Sequence, residues 1–157
     1  MAHTEELVRL GLDQLSEGFG IFDADLRLVS CNRLYRELRD YPADLCQPGT
    51  PFEKMIRFNA ERGDFGPGSV EQQVSERLAE IADTDQREVE REMVDGQILN
   101  IRYQHLVGGG LTITFRDKTE ERHAQHALAQ SEERYALVSE AAQEAIYEWN
   151  VETDEFY

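Results

Sequence analysis

The stretch Gly18-Phe19-Gly20-Ile21-Phe22-Asp23-Ala24-Asp25-Leu26-Arg27-Leu28-Val29-Ser30-Cys31-Asn32-Arg33-Leu34-Tyr35 decides the fold class. Phe19–Asp23 and Leu26–Cys31 are short apolar runs on either side of Asp23-Ala24-Asp25, a pattern that predicts two strands joined by a hairpin with an acidic tip. Asn32 stands where its side-chain oxygen can cap a helix from Arg33 to about Arg39. Upstream, Thr4–Glu17 reads as a helix with Leu7, Leu10, Leu12 and Leu15 on an imperfect apolar face. Glu5 and Glu6 lie in its first turn, where the helix dipole favours acids, and Gly18 is expected to close it.

Downstream, Pro42 and Pro48 punctuate a loop or short helical turns. Thr50-Pro51-Phe52-Glu53 predicts a helix start with Thr50 as cap, Pro51 at the first helical position and Glu53 completing a capping box, and the helix runs to about Arg62. Gly63-Asp64-Phe65-Gly66-Pro67-Gly68 breaks it, and Ser69 with Gln72 opens another helix carrying Val74, Leu78 and Ile81 at helical spacing. Three strands follow. Arg87–Met93 leads into the Asp95-Gly96 turn. Leu99, Ile101, Tyr103, His105 and Val107 then share one face by alternation. After Gly108-Gly109-Gly110, Leu111, Ile113 and Phe115 alternate with Thr112, Thr114 and Arg116. Two strands, several helices and three strands make an α+β domain with a five-stranded antiparallel sheet and helices on one face. From Thr119 the period changes. Ala124, Leu128, Ser131, Tyr135, Val138, Ala142 and Ala145 form a heptad seam of mostly small or moderately polar residues, the signature of a weak coiled coil.

The motifs, taken in order, resemble the PAS family. The opening Gly18–Val29 with Cys31–Arg36 is similar to the start of PAS domains. Pro48-Gly49-Thr50-Pro51-Phe52 and Glu61–Gly68 resemble a narrower subgroup, and Asp95-Gly96 and Asp117-Lys118-Thr119-Glu120-Glu121-Arg122 complete the pattern over roughly residues 5–122. The resemblance implies a PAS fold with an N-terminal flanking helix (1–17), a sensory domain (18–118) and a coiled-coil-like output helix (119–145). Ser131–Tyr135 through Asp154 also resembles the leading helix and first strand of another PAS domain, so 146–157 is expected to begin a second one. The closing motif usually reads Asp-Ile-Thr or Asp-Val-Thr, and here Lys118 takes the middle place. By resemblance Asp117 pairs with a basic residue of the output helix, for which Arg122 is the candidate, and Thr119 caps that helix. The three form the expected signal relay, and a plain helix cap with a surface ion pair fits the same residues.

Composition narrows the function classes. The net charge of −16 argues against nucleic acid, because such a chain repels phosphates. No apolar run approaches the roughly 20 residues of a membrane span, and the N-terminus lacks a signal-peptide pattern, so the expectation is a cytoplasmic bacterial protein. Cys31 and Cys46 make no disulfide framework and are expected as reduced thiols. His123 and His126 are three apart on the output helix without evident further ligands, so no metal is expected. Glu88, Glu90 and Glu92 read as a solvated sheet face. Cofactors are not expected. Phe52–Arg62 holds no histidine of the kind that ligates haem in PAS domains, and Cys31 precedes Asn32 in place of the flavin-reactive Asn-Cys-Arg-Phe pattern. An unknown small-molecule ligand remains open, with Ile101, Tyr103, His105 and Phe115 as pocket candidates. His105 reads equally as a satisfied core or rim histidine. Leu7, Leu10 and Leu15, with Leu128, Tyr135 and Val138, are candidates for a homodimer interface.

No nucleophile constellation, nucleotide-binding box or cyclase motif is present in this sequence. The expected function is therefore non-catalytic sensory input and dimerisation ahead of downstream signalling domains, as in a sensor histidine kinase. The alternatives are a scaffold PAS domain that binds no ligand, and the input domain of a cyclic-dinucleotide synthase or hydrolase.

Overall fold

In the computed structural model, residues 1–83 and 85–153 are described, and the chain divides into two compact units, Met1–Thr119 and the segment from Glu120 onward. The first contains α1 (Ala2–Leu12), β1 (Gly18–Phe22), β2 (Leu28–Cys31), α2 (Arg33–Arg39), a 3-10 turn (Ala43–Cys46), α3 (Phe52–Arg62), α4 (Val70–Ala82), β3 (Gln86–Glu92), β4 (Ile98–His105) and β5 (Leu111–Asp117). Helix α5 (Thr119–Thr153) starts at the last residue of the first unit, and its remainder is the described part of the second. The five strands form one antiparallel sheet in the order β2-β1-β5-β4-β3. The last strand thus lies at the centre, hydrogen-bonded to β1 on one side and β4 on the other.

Strict alternation makes the core. Phe22 on β1, Leu99 and Ile101 on β4, and Leu111, Ile113 and Phe115 on β5 all point to one face, where they bury against Tyr35, Phe52, Met55, Ile56, Val74 and Ile81 from the helices. Each large side chain so buried contributes about 1.5–3 kcal/mol. Tyr35 stacks on Phe115 at 4.6 Å between ring centroids, and Phe22 meets Phe52 edge-on at 5.0 Å. The approach of α2 to β1 explains the Gly-Phe-Gly opening of the sheet. A Cβ on Gly18 would stand 2.9 Å from the Tyr35 Cα, and one on Gly20 would stand 2.8 Å from the Tyr35 ring. Only hydrogen fits there.

Asn32 is the hinge pin of this corner. It is 1% exposed. Its Oδ1 accepts from the amides of Phe19 (2.8 Å) and Tyr35 (3.0 Å), so it caps α2 and holds the first strand as well. Its Nδ2 donates to the carbonyls of Leu12 (2.9 Å) and Glu17 (2.8 Å), which fixes the segment between α1 and β1.

Several boundaries differ from the sequence reading. Helix α1 ends at Leu12, and Leu15 lies beyond it. Gly18 opens β1 instead of closing a helix, because its carbonyl and amide neighbours are claimed by the sheet and by Asn32. Thr50 is not the cap of α3. Its hydroxyl donates to the Gln47 carbonyl (2.7 Å), and the cap position falls to Pro51. The cause is competition from the sheet edge. Leu28 N donates to Thr50 O, Phe52 N donates to Leu26 O, and Arg27 and Pro51 form a bridge, so Thr50–Phe52 is drawn into extended pairing. Val107 falls outside β4 and is exposed, and the β3–β4 loop runs from Met93 to Gln97, closed by the Met93 amide donating to the Gln97 carbonyl (2.7 Å). The strand expected after residue 145 is not formed over 146–153, where α5 continues; a helix satisfies its own amides, whereas a strand needs a neighbour. The remainder of that expected strand, residues 154–157, lies outside the described residues.

Replacing Asn32 by Ala removes four hydrogen bonds at a buried corner and is expected to destabilise the domain by about 2–4 kcal/mol. The urea midpoint measures it, and a loss below about 0.5 kcal/mol would show that Asn32 does not hold the corner.

Candidate functional site

Between the inner face of the sheet and helices α2, α3 and α4 lies a cavity of about 20 Å³, room for about one water molecule. Ile101, Tyr103 and Phe115, three of the sequence candidates, line it from the sheet. His105, the fourth, is not among the lining residues. Its Nε2 lies 2.8 Å from the Ile81 carbonyl, so that nitrogen donates to the last turn of α4 and the ring closes the rim of the core. Ile101 and Phe115 are buried and face each other across the β4–β5 ladder. Burial pushes the Tyr103 phenol above its ordinary value, and its hydroxyl has no hydrogen-bond partner among the described residues.

The sequence reading missed the charged part of this wall. Arg39, Arg77 and Arg91 all line the cavity. Arg39, the last residue of α2, has a side chain only 3% exposed, and its guanidinium donates to Asp64 (3.0 Å), to the Met93 sulfur (3.1 Å) and to the Tyr41 hydroxyl (3.5 Å). Asp64, equally buried, also takes Arg62 at 2.6 Å. A buried guanidinium is tolerated only when so held. Read along the chain, Arg39 resembles any basic residue in a last helical turn; what buries it is the loop after α3, a non-local partner.

Met93 carries the arrangement to the far end of the sheet. It begins the β3–β4 loop, and Gln97 ends that loop. Gln97 Nε2 donates to Asp117 Oδ2 (2.9 Å), while Asp117 Oδ1 accepts from the Thr119 amide (2.9 Å) and hydroxyl (2.6 Å). The same Thr119 hydroxyl accepts from the Ile98 amide (2.9 Å), and the Lys118 amide donates to the Ile98 carbonyl (2.8 Å). Thr119 therefore does not spend its hydroxyl on capping α5 as expected. It ties the first residue of α5 to the start of β4 and the end of β5. Gln97 is a member that sequence reasoning did not find; the signal was its place two residues after Asp95, at the mouth of a hairpin whose next strand pairs with Asp117. Arg122, the third expected relay residue, belongs to the second unit, where its guanidinium donates to Gln125 (2.9 Å).

The candidate interface residues are exposed within their own units: Leu7, Leu10 and Leu15 at 45–55%, and Leu128, Tyr135 and Val138 at 60–75%. Among the described residues no helix is long and apolar enough to cross a membrane, and no cluster of three or more potential metal ligands occurs.

A central β5 flanked by β1 and β4, helices over one face, a cavity between the layers and a helix leaving the last strand define an α+β domain of the PAS type. The family model described as PAS fold matches residues 12–126, and the chain belongs to that family. Among curated proteins it is similar to the non-motile and phage-resistance protein of Caulobacter vibrioides, at 27% identity over 131 residues; these are 83% of this chain but 14% of that relative's length. Among solved structures it resembles the PAS domain of Bordetella pertussis BvgS (17% identity, TM-score 0.51, 82% of this chain and 98% of that one). It also resembles a domain of a sensory box sensor histidine kinase/response regulator from Geobacter sulfurreducens (16% identity, TM-score 0.45, 74% and 96%).

Partial burial works to raise the Asp117 carboxyl, but the bonds from the Thr119 hydroxyl, the Thr119 amide and Gln97 together outweigh it and hold the group below its ordinary range. A depressed carboxylate contributes stability above its unfolded value of about 3.9, and that contribution is lost as pH falls through the folded value. Wild type should therefore lose stability relative to Asp117→Asn as pH is lowered from about 5 to 3. Parallel unfolding curves for the two proteins across that window would contradict the network.

Proposed function

We propose that this domain is a non-catalytic sensory input and dimerisation module of a bacterial signal-transduction receptor, of the sensor histidine kinase kind. The observation that supports the reading best is the Thr119 hydroxyl, shared between Asp117 and the Ile98 amide. Any shift of β4 against β5 must stretch one of these bonds or carry the first turn of α5 with it. A ligand or partner that prefers one sheet geometry then biases the helix by its differential affinity for the two states. The chain of contacts from the cavity is short: Arg39 lines the wall and touches Met93, Met93 opens the hairpin, and Gln97 closes it on Asp117.

Dimerisation rests on the exposed leucines of the first unit and the heptad seam of α5, whose apolar members make a surface that water disfavours. A second reading, a scaffold that senses nothing, is favoured by the cavity volume, which is far below the roughly 300 Å³ and more of usual small-molecule sites.

Thr119→Val keeps the side-chain shape and removes the hydroxyl. In the receptor that carries this domain it is expected to reduce the signal-dependent change in output at least several-fold while shifting the melting temperature of the domain by only a few degrees; an undiminished response would reject the relay. The isolated chain is expected to sediment at twice its 18.1 kDa mass, and Leu10→Glu with Leu128→Glu should bring it to monomer. A wild-type monomer at 100 µM would remove dimerisation from the proposal.

A further inference from the structure

The cavity wall has a chemical bias that runs against the rest of the molecule. The chain carries 32 acidic and 16 basic residues, yet three arginines and no carboxylate line the cavity among the described residues. Two of the arginines are neutralised from outside the wall: Arg39 by Asp64 (3.0 Å) and Arg77 by Glu80 (2.9 Å). Arg91 is different. It is partly buried on the inward face of β3, its guanidinium lies 4.8 Å from the Phe65 ring centroid, and among the described residues it makes no ion pair and no hydrogen bond, Asp64 acting on it only from a distance. Arg77 sits at the same 4.8 Å from Phe65, so the ring lies against two cations at once. Burial first, then the neighbouring Arg77, weaken the hold of Arg91 on its proton, against smaller support from Tyr103 and Asp64. Tyr103, whose hydroxyl makes no hydrogen bond among the described residues, lines the same space.

Resting on the reading of the cavity as the sensing site, we propose that it takes a small organic anion, a monocarboxylate with an apolar body, whose carboxylate is held by Arg91 and Tyr103. A planar guanidinium matches a carboxylate with two parallel hydrogen bonds, and a phenol supplies a third donor. The apolar body then lies among Ile101, Ile113 and Phe115. Room is made by displacing Phe65, which is carried on the loop between α3 and α4 and is only partly buried. That same loop holds Asp64 on Arg39, so filling the cavity bears directly on the contact that leads to Met93 and the α5 junction.

The test uses the whole chain and matched probes: benzoate, phenylacetate and hexanoate, each against its primary amide at equal ionic strength, with binding followed by calorimetry and by amide chemical shifts. At least one acid is expected to bind at least tenfold tighter than its amide, with shifts centred on Phe65, Arg91 and Tyr103. Arg91→Gln should abolish the preference, and Arg91→Lys should keep part of it. If Arg91→Gln fails to fold, the acid-to-amide ratio in wild type and its change in Arg91→Lys decide alone. Amides that bind as well as the acids would overturn the anion assignment and leave a ligand-binding domain with an apolar pocket. No saturable binding of either set at 10 mM would overturn both the assignment and the sensing reading, in favour of the scaffold.

Discussion

A buried positive charge organises this domain. The Arg39 guanidinium is 3% exposed, and the chain must surround it with acceptors or lose several kcal/mol to an uncompensated ion. Asp64 supplies the counter-charge, Tyr41 and Met93 supply further contacts, and Arg62 braces Asp64 from the other side while donating to the Arg39 carbonyl at 2.6 Å. Each partner comes from a different part of the chain. Meeting the one requirement therefore fixes the loop after α3, the end of α2 and the entrance to the β3–β4 hairpin together. An apolar residue at position 39 would fill the space, but it would leave those three segments free to choose their own positions.

From that centre the domain has two ends. One is the cavity, where Arg39 shares a wall with Arg91, Tyr103 and the core faces of β4 and β5. The other is the junction of β4, β5 and α5, where a single hydroxyl serves two strands and a helix. The first is a polar device set into an apolar interior and the second lies at the exposed end of the sheet, and both have partners fixed by sheet register. Leu99 opposite Asp117 and Ile101 opposite Phe115 place cavity wall and junction on the same ladder. Strain at one end has a short path to the other.

What the sequence displays and what it conceals divide along the range of the interaction. Short apolar runs around Asp23-Ala24-Asp25 marked β1 and β2, the Asp95-Gly96 turn marked the end of β3, and alternation revealed β4 and β5 with their inward faces, since period-two burial is written locally. Asn32 before Arg33 and Ser69 before Val70 were legible as caps because a cap acts within three residues. The two further donations of Asn32 to Leu12 and Glu17 were not, because they depend on where the preceding segment is folded back. Thr50 failed for the same reason: its local cap signal was sound, but strand pairing with Leu28 outcompeted it. At the site, Asp117 and Thr119 were visible through resemblance, and Ile101, Tyr103 and Phe115 through alternation. His105 has the right spacing, but the end of α4 lies within its reach and takes its nitrogen. Gln97 was marked only by its place after the Asp95-Gly96 turn, and Arg39 and Arg91 had no local mark at all.

The central claim is that cavity wall and helix junction are energetically coupled through Arg39, Met93 and Gln97. A double-mutant cycle between Met93→Leu and Thr119→Val tests it most directly, because both substitutions nearly conserve volume and neither alters charge, so direct Coulomb effects drop out. The account predicts that the two unfolding free-energy changes deviate from additivity by more than about 0.5 kcal/mol. Additivity within about 0.3 kcal/mol would show that the two ends of the domain are independent.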